Sequence, residues 1–144
     1  MVLRQCIERH LAGFESTCSA STNRKPSRGE ETELLAIDWL RARGFSIVAR
    51  RLKTPYAEVD LLIRSPNLQE WFVVEVKSSL WPDGLALGLS YRQRARLWRA
   101  SYWIQDEISR VVEASSSGAR LSLALLVRED GLMHRVGFRI LPIF

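Results

Sequence analysis

Glu75 and Lys77 close the run Trp71-Phe72-Val73-Val74-Glu75-Val76-Lys77. The run is rich in β-branched and aromatic residues and has no Gly or Pro, so it reads as a strand. Residues two apart in a strand share a face, which sets a carboxylate beside an ammonium. Removing such charges from water costs several kcal/mol per ion unless each is partnered. A divalent cation at Glu75 and a phosphate at Lys77 would offset that cost.

A second carboxylate, Asp60, sits in Glu58-Val59-Asp60-Leu61-Leu62-Ile63, also a strand by composition. If the two strands form a hairpin, Asp60 and Glu75 become neighbours across it. Adjacent carboxylates repel, unless a cation lies between them. Mg²⁺ (or Mn²⁺) takes hard oxygen ligands and needs only one or two protein carboxylates, keeping waters for the rest. Asp60, Glu75 and the backbone carbonyl of Val76 make such a half-shell. Lys77 is then suited to orient or activate a water, or to neutralise charge in the transition state of phosphoryl chemistry. Glu33, near the edge of an apolar helix face, is the candidate to hold a water of that cation or a second metal. The plainer alternative is an internal Glu75–Lys77 ion pair in an interaction domain.

The elements that must position these groups are legible. Leu34, Leu35, Ala36, Ile37 and Leu40 mark a helix from Gly29 to about Arg43, with Glu30, Glu31 and Glu33 in its first turns and Gly44 as its C-terminal cap. Phe45–Arg50, Glu58–Ile63 and Trp71–Lys77 read as three strands with short connections, an antiparallel meander. Ser78–Gly88 reads as a loop. Ser90 to about Glu113 is a long helix, with Leu97, Ala100, Ile104, Ile108 and Val111 on one side. Leu121–Val127 is a buried strand; Glu129-Asp130-Gly131 reads as a hairpin turn leading to a strand over Met133–Phe138. The order α-β-β-β-α-β-β predicts an α/β fold, a mixed sheet with helices on its faces and the long helix as crossover.

At 144 residues, 47% apolar and 26% charged, the chain suits one soluble domain. No apolar run is long enough to span a bilayer, so no membrane partner is expected. The start of the chain lacks a secretory apolar core, and its two cysteines have no companions at metal spacing. Together these suggest the cytoplasm. Residues 1–27 hold a polar Ser/Thr run and read as a mobile basic arm ahead of a domain over 28–144. Five basic and two acidic residues in 1–28 carry +3 of the net +5, so any nucleic-acid surface must arise from where the remaining charge sits. Arg50, Arg51 and Lys53 form one basic patch. Arg92, Arg94, Arg96 and Arg99 crowd the start of the long helix, where cations oppose the dipole but suit phosphate. Trp98, Tyr102 and Trp103 follow; packing against the sheet is the favoured reading over stacking on bases.

The E-x-K triplet Glu75-Val76-Lys77, with Asp60 on the preceding strand and Glu33 on the preceding helix, resembles the PD-(D/E)xK nuclease superfamily, whose core is α-β-β-β-α-β. Gly29-Glu30, Glu33, Ala36, Trp39-Leu40, Gly44-Phe45, Glu58–Ile63 and Phe72–Lys77 narrow this to a resemblance to the bacterial YraN family over about Gly29–Phe138. The resemblance implies a restriction-endonuclease-like fold close to archaeal Holliday-junction resolvases. It implies a metal-dependent endonuclease cutting DNA, branched DNA included, with a metal-activated water. Glu33, Asp60, Glu75 and Lys77 would form the active site, with Glu58 as an accessory acid. DNA or another nucleic acid is the implied partner and a homodimer the implied assembly. A nuclease fold that binds nucleic acid without cutting is the alternative. The sequence departs from the family pattern at Ala57 (Gly), Ser78-Ser79 (Thr or Arg), Arg92 (Lys) and Ser122 (Asp).

Overall fold

The structure, a computed structural model, describes residues 3–14, 24–67, 70–78, 89–112, 120–130 and 136–143. Its elements are α1 (Leu3–Leu11), α2 (Arg28–Ala42), β1 (Ser46–Lys53), β2 (Glu58–Arg64), β3 (Glu70–Lys77), α3 (Tyr91–Val112), β4 (Arg120–Asp130) and β5 (Val136–Pro142). The five strands form one mixed sheet in the order β1-β2-β3-β4-β5. β1, β2 and β3 are the expected antiparallel meander. β3 and β4 are parallel, joined across α3, and β4 and β5 are antiparallel. The α/β class is the one the sequence predicts, and from α2 onward so is the element order; α1 is additional.

Helices cover both faces. On one, Ala36, Ile37 and Leu40 of α2 pack on Ile47, Leu61, Ile63, Val74 and Leu126. On the other, α1 and α3 bring Ile7, Leu97, Ile104 and Ile108 onto Leu62, Trp71, Val73, Leu123 and Leu125. Each fully buried Leu or Ile contributes roughly 1.5–3 kcal/mol. β4 is buried from Leu123 to Val127 without alternation, because helices and neighbouring strands leave it no wet face.

α2 starts with a reciprocal cap. The Glu30 N–H donates to Ser27 Oγ (3.2 Å), and the Ser27 N–H donates to the Glu30 carboxylate (3.3 Å). This is the S-x-x-E signature, readable in the sequence. Gly44 closes the helix at φ +85°, a left-handed conformation that favours glycine.

Four boundaries differ from those the sequence predicts, among them the last strand, expected over Met133–Phe138 and found at Val136–Pro142 because Arg139 to Pro142 also pair with β4. The arm expected over 1–27 is not an arm at its start: Leu3–Leu11 is a helix with Leu3 and Ile7 in the core. The i, i+4 pair is visible in the sequence, but only packing against α3 and β1 makes burying so short an apolar stripe worthwhile. The Ser/Thr run over 15–23 lies outside the described residues. β1 runs on to Lys53, because Leu52 and Lys53 pair with Val59 and Glu58. β4 continues through Glu129 and Asp130, pairing with Gly137 and Val136. The connection expected at Glu129–Gly131 therefore falls over 131–135, outside the described residues. Among the described residues no helix is long and apolar enough to cross a membrane.

Candidate functional site

The site forms where the sheet splits. β2 and β3 pair from Arg64–Trp71 to Leu61–Val74 and then part. β3 and β4 stay paired through Lys77–Val127. Beyond Leu61, the backbone N–H of Val76 has no β2 carbonyl to meet. Asp60 Oδ2 accepts it instead, at 2.8 Å. A side chain thus replaces a rung of the ladder, satisfying a donor that would otherwise be buried and unpaired.

This arrangement draws Asp60 to Glu75. The two carboxyls lie near enough that the charge on Asp60 disfavours a charge on Glu75. Burial, then the Asp60 charge, pushes the Glu75 carboxyl up to about 7, against the opposing pull of Lys77. Burial also raises Asp60, with Glu33 adding to the rise and the Val76 N–H opposing it. Lys77 Nζ is 3.3 Å from Glu75 Oε1. Two desolvated carboxylates that cannot both be charged cheaply, flanked by one ammonium, form an environment that a divalent cation would relieve.

Glu33 stands on α2, close enough to Asp60 to be felt, yet it is held elsewhere. Arg50 Nε donates to its Oε1 at 2.5 Å and Arg51 Nε to its Oε2 at 3.3 Å. Consecutive strand residues normally face opposite sides of a sheet. Here both arginines reach one carboxylate because Arg51 adopts φ +48°, the only left-handed non-glycine among the described residues. That conformation costs roughly 1–2 kcal/mol. With Glu33 so engaged, no three His, Cys, Asp or Glu side chains among the described residues converge as a metal site.

The other candidates divide. Glu58 lines a cleft of about 150 Å³ beside Glu75, faced from α3 by Gln93 and Arg96. Lys53 lies directly opposite Glu58 in the β1–β2 ladder, so cross-strand charge pairing accounts for it as well as nucleic acid does. Arg92 is exposed at the start of α3 and Arg94 half-buried. Of the positions that depart from the family pattern, Ala57 lines the cleft and Ser122 is exposed on β4. Trp98 and Trp103 pack against the core, as expected, while Tyr102 is exposed. Gln93 is not among the sequence candidates. Its signal is Ser90-x-x-Gln93, a capping box: Ser90 Oγ accepts the Gln93 N–H at 3.2 Å and Gln93 Oε1 accepts the Ser90 N–H at 2.9 Å.

Residues 32–125 match the sequence model of the uncharacterised protein family UPF0102. That stretch holds Glu33, Asp60, Glu75 and Lys77 and most of the chain. The chain belongs to this family. Relatives carrying the same family description include proteins of Parvibaculum lavamentivorans (45% identical over 73 residues, 51% of this chain and 53% of the relative) and Caulobacter (42% over 72 residues, 50% of each). One from Bartonella bacilliformis is 51% identical over 81 residues, 56% of this chain and 65% of the relative. The chain spans about half the length of the first two relatives. Among solved structures, SfsA of Pyrococcus furiosus in complex with Ca²⁺ is similar at TM-score 0.32 and 17% identity, over 76% of this chain and 57% of that one. A likeness so weak carries no argument about chemistry.

Proposed function

We propose that this UPF0102 member is a metal-dependent endonuclease of the PD-(D/E)xK type, hydrolysing phosphodiester bonds in DNA, branched DNA included, in the cytoplasm. One observation carries the reading. Where β2 and β3 part, Asp60, held by the Val76 N–H at 2.8 Å, stands beside Glu75 in a desolvated niche with Lys77 Nζ 3.3 Å from Glu75 Oε1.

The donor set fits a hard divalent cation, Mg²⁺ or Mn²⁺: carboxylate oxygens from two adjacent strands, with the Val76 carbonyl as a further oxygen on β3. Such a cation would supply Lewis acidity at the phosphate and lower the pKa of a water. The chain's own groups account for the rest. Asp60, anchored by the Val76 N–H, keeps its carboxylate beside Glu75. Lys77 hydrogen-bonds a non-bridging phosphate oxygen and offsets the charge that grows there. Arg96 and Gln93, across the cleft from Glu58, grip the flanking backbone. Two symmetric cuts in a four-way junction would call for a homodimer.

A binding module without cleavage is favoured by one feature, the engagement of Glu33 by Arg50 and Arg51, which leaves two carboxylates rather than three at the niche. Cleavage of branched, duplex and single-stranded DNA with Mg²⁺ or Mn²⁺ separates the readings. Cutting that disappears in Lys77→Ala supports the nuclease. No cutting of any substrate with either metal leaves the binding module.

A further inference from the structure

A second cleft lies farther along α3, away from the carboxylates. Its volume is about 370 Å³, and Tyr56, Arg99, Tyr102, Trp103 and Asp106 line it. Tyr102 is 67% exposed and Tyr56 45%. The two clefts share one seam. The turn between β1 and β2 gives Ala57 to the first and Tyr56 to the second, and Glu58 at the start of β2 joins the first. α3 gives Gln93 and Arg96 to the first, then Arg99 and Tyr102 to the second.

The walls are firm. Thr54 Oγ1 accepts the N–H groups of Tyr56 (3.2 Å) and Ala57 (3.0 Å) and donates to the Ala57 carbonyl (2.7 Å). Trp103 packs against the core, and the Trp98 ring leans on Tyr102 at 6.1 Å. Charge is uneven along the helix: Arg92, Arg96 and Arg99 are exposed in its first half, and Asp106 and Arg110 in its second. A phosphate is drawn to the arginine-rich first half and disfavoured beside Asp106. A nucleobase has the opposite fit, since Tyr faces stack with it and a carboxylate accepts its N–H groups.

We propose that the Tyr56–Tyr102 cleft binds one unstacked nucleobase of single-stranded nucleic acid, whose backbone follows the α3 arginines to the Glu75 cleft. The inference rests on the nuclease reading for the path of the phosphates. From Arg96 to Tyr102 the helix rises about 9 Å at ~1.5 Å per residue, or roughly three steps of B-form rise. The preferred substrate then carries an unpaired base about that far from the cut.

The test is fluorescence anisotropy with the full chain, in metal-free buffer, on a labelled single strand of about twelve nucleotides and on the duplex of the same sequence. Tyr102→Ala and Tyr56→Ala should each weaken single-strand binding about tenfold, leave duplex binding nearly unchanged, and Tyr102→Phe should bind as wild type. Wild-type failure to bind the single strand overturns the proposal. So does single-strand affinity unchanged in Tyr102→Ala, or an equal loss for both DNA forms. Neither metal nor turnover enters this assay. A chain that fails to cut yet shows tyrosine-dependent binding therefore refutes the nuclease reading alone.

Discussion

Asp60 Oδ2 accepts the backbone N–H of Val76 at 2.8 Å, so a carboxylate stands where a strand carbonyl would be. One contact both closes the split between β2 and β3 and presses Asp60 against Glu75. These two roles can be separated by substitution.

Asp60→Asn keeps an acceptor for the Val76 N–H and removes a charge from beside Glu75. Asp60→Ala leaves that N–H unpaired, which costs about 1–3 kcal/mol. In urea unfolding at pH 8, the Asn variant should match or exceed wild type, and the Ala variant should fall below it by about that amount. Equal destabilisation in both would sink the assignment of Asp60 as a substitute rung.

The pH dependence of stability follows from Glu75. Its folded value, about 7, lies above the usual carboxylate value of 4.5. Folding therefore favours the protonated form. The contribution is whole below pH 4.5 and is lost as pH rises through 7. Its size is on the order of 3 kcal/mol, at about 1.36 kcal/mol for each tenfold change in proton affinity. Asp60, also raised, acts in the same direction. Mg²⁺, binding the charged pair, should raise the melting temperature more at pH 8 than at pH 5. A metal-induced change in melting temperature that is independent of pH would argue against the carboxylate pair as the site.

Lys77→Ala should lower DNA cleavage by about 10²–10³-fold, the usual effect of removing one group that stabilises transition-state charge. Lys77→Arg should not restore it, since a planar, bulkier guanidinium does not replace a compact ammonium. Gel-based cleavage with Mg²⁺ checks both, and full activity in Lys77→Ala would remove the lysine from the mechanism.

Glu33→Gln leaves Arg50 and Arg51 facing a neutral group in a partly buried position. Breaking one side of a buried pair costs about 3–5 kcal/mol, and Arg51 is 44% exposed, so the lower end is expected. The Asp60 carboxyl should also titrate lower, because the Glu33 charge is one of the causes of its rise. An NMR titration of Asp60 showing no change would mean that the two carboxylates do not interact.

Local information is enough for most of the frame. The α2 stripe, the three strands, the α3 stripe and the capping boxes at Ser27 and Ser90 depend on neighbours within four residues, and such patterns survive folding. α1 escapes a local reading because two apolar residues do not make a helix stable until a groove exists to receive them. Asp60, Glu75 and Lys77 stand out because charge within an apolar strand is expensive wherever the strand goes. That Asp60 takes the Val76 N–H, that burial and the Asp60 charge raise the Glu75 carboxyl, and that Arg50 and Arg51 both turn to Glu33 is decided only in three dimensions. Register between β2 and β3, and the left-handed turn at Arg51, are set by packing of residues far apart in the chain. Sequence alone selects the charged residues; the sheet's split determines which of them meet.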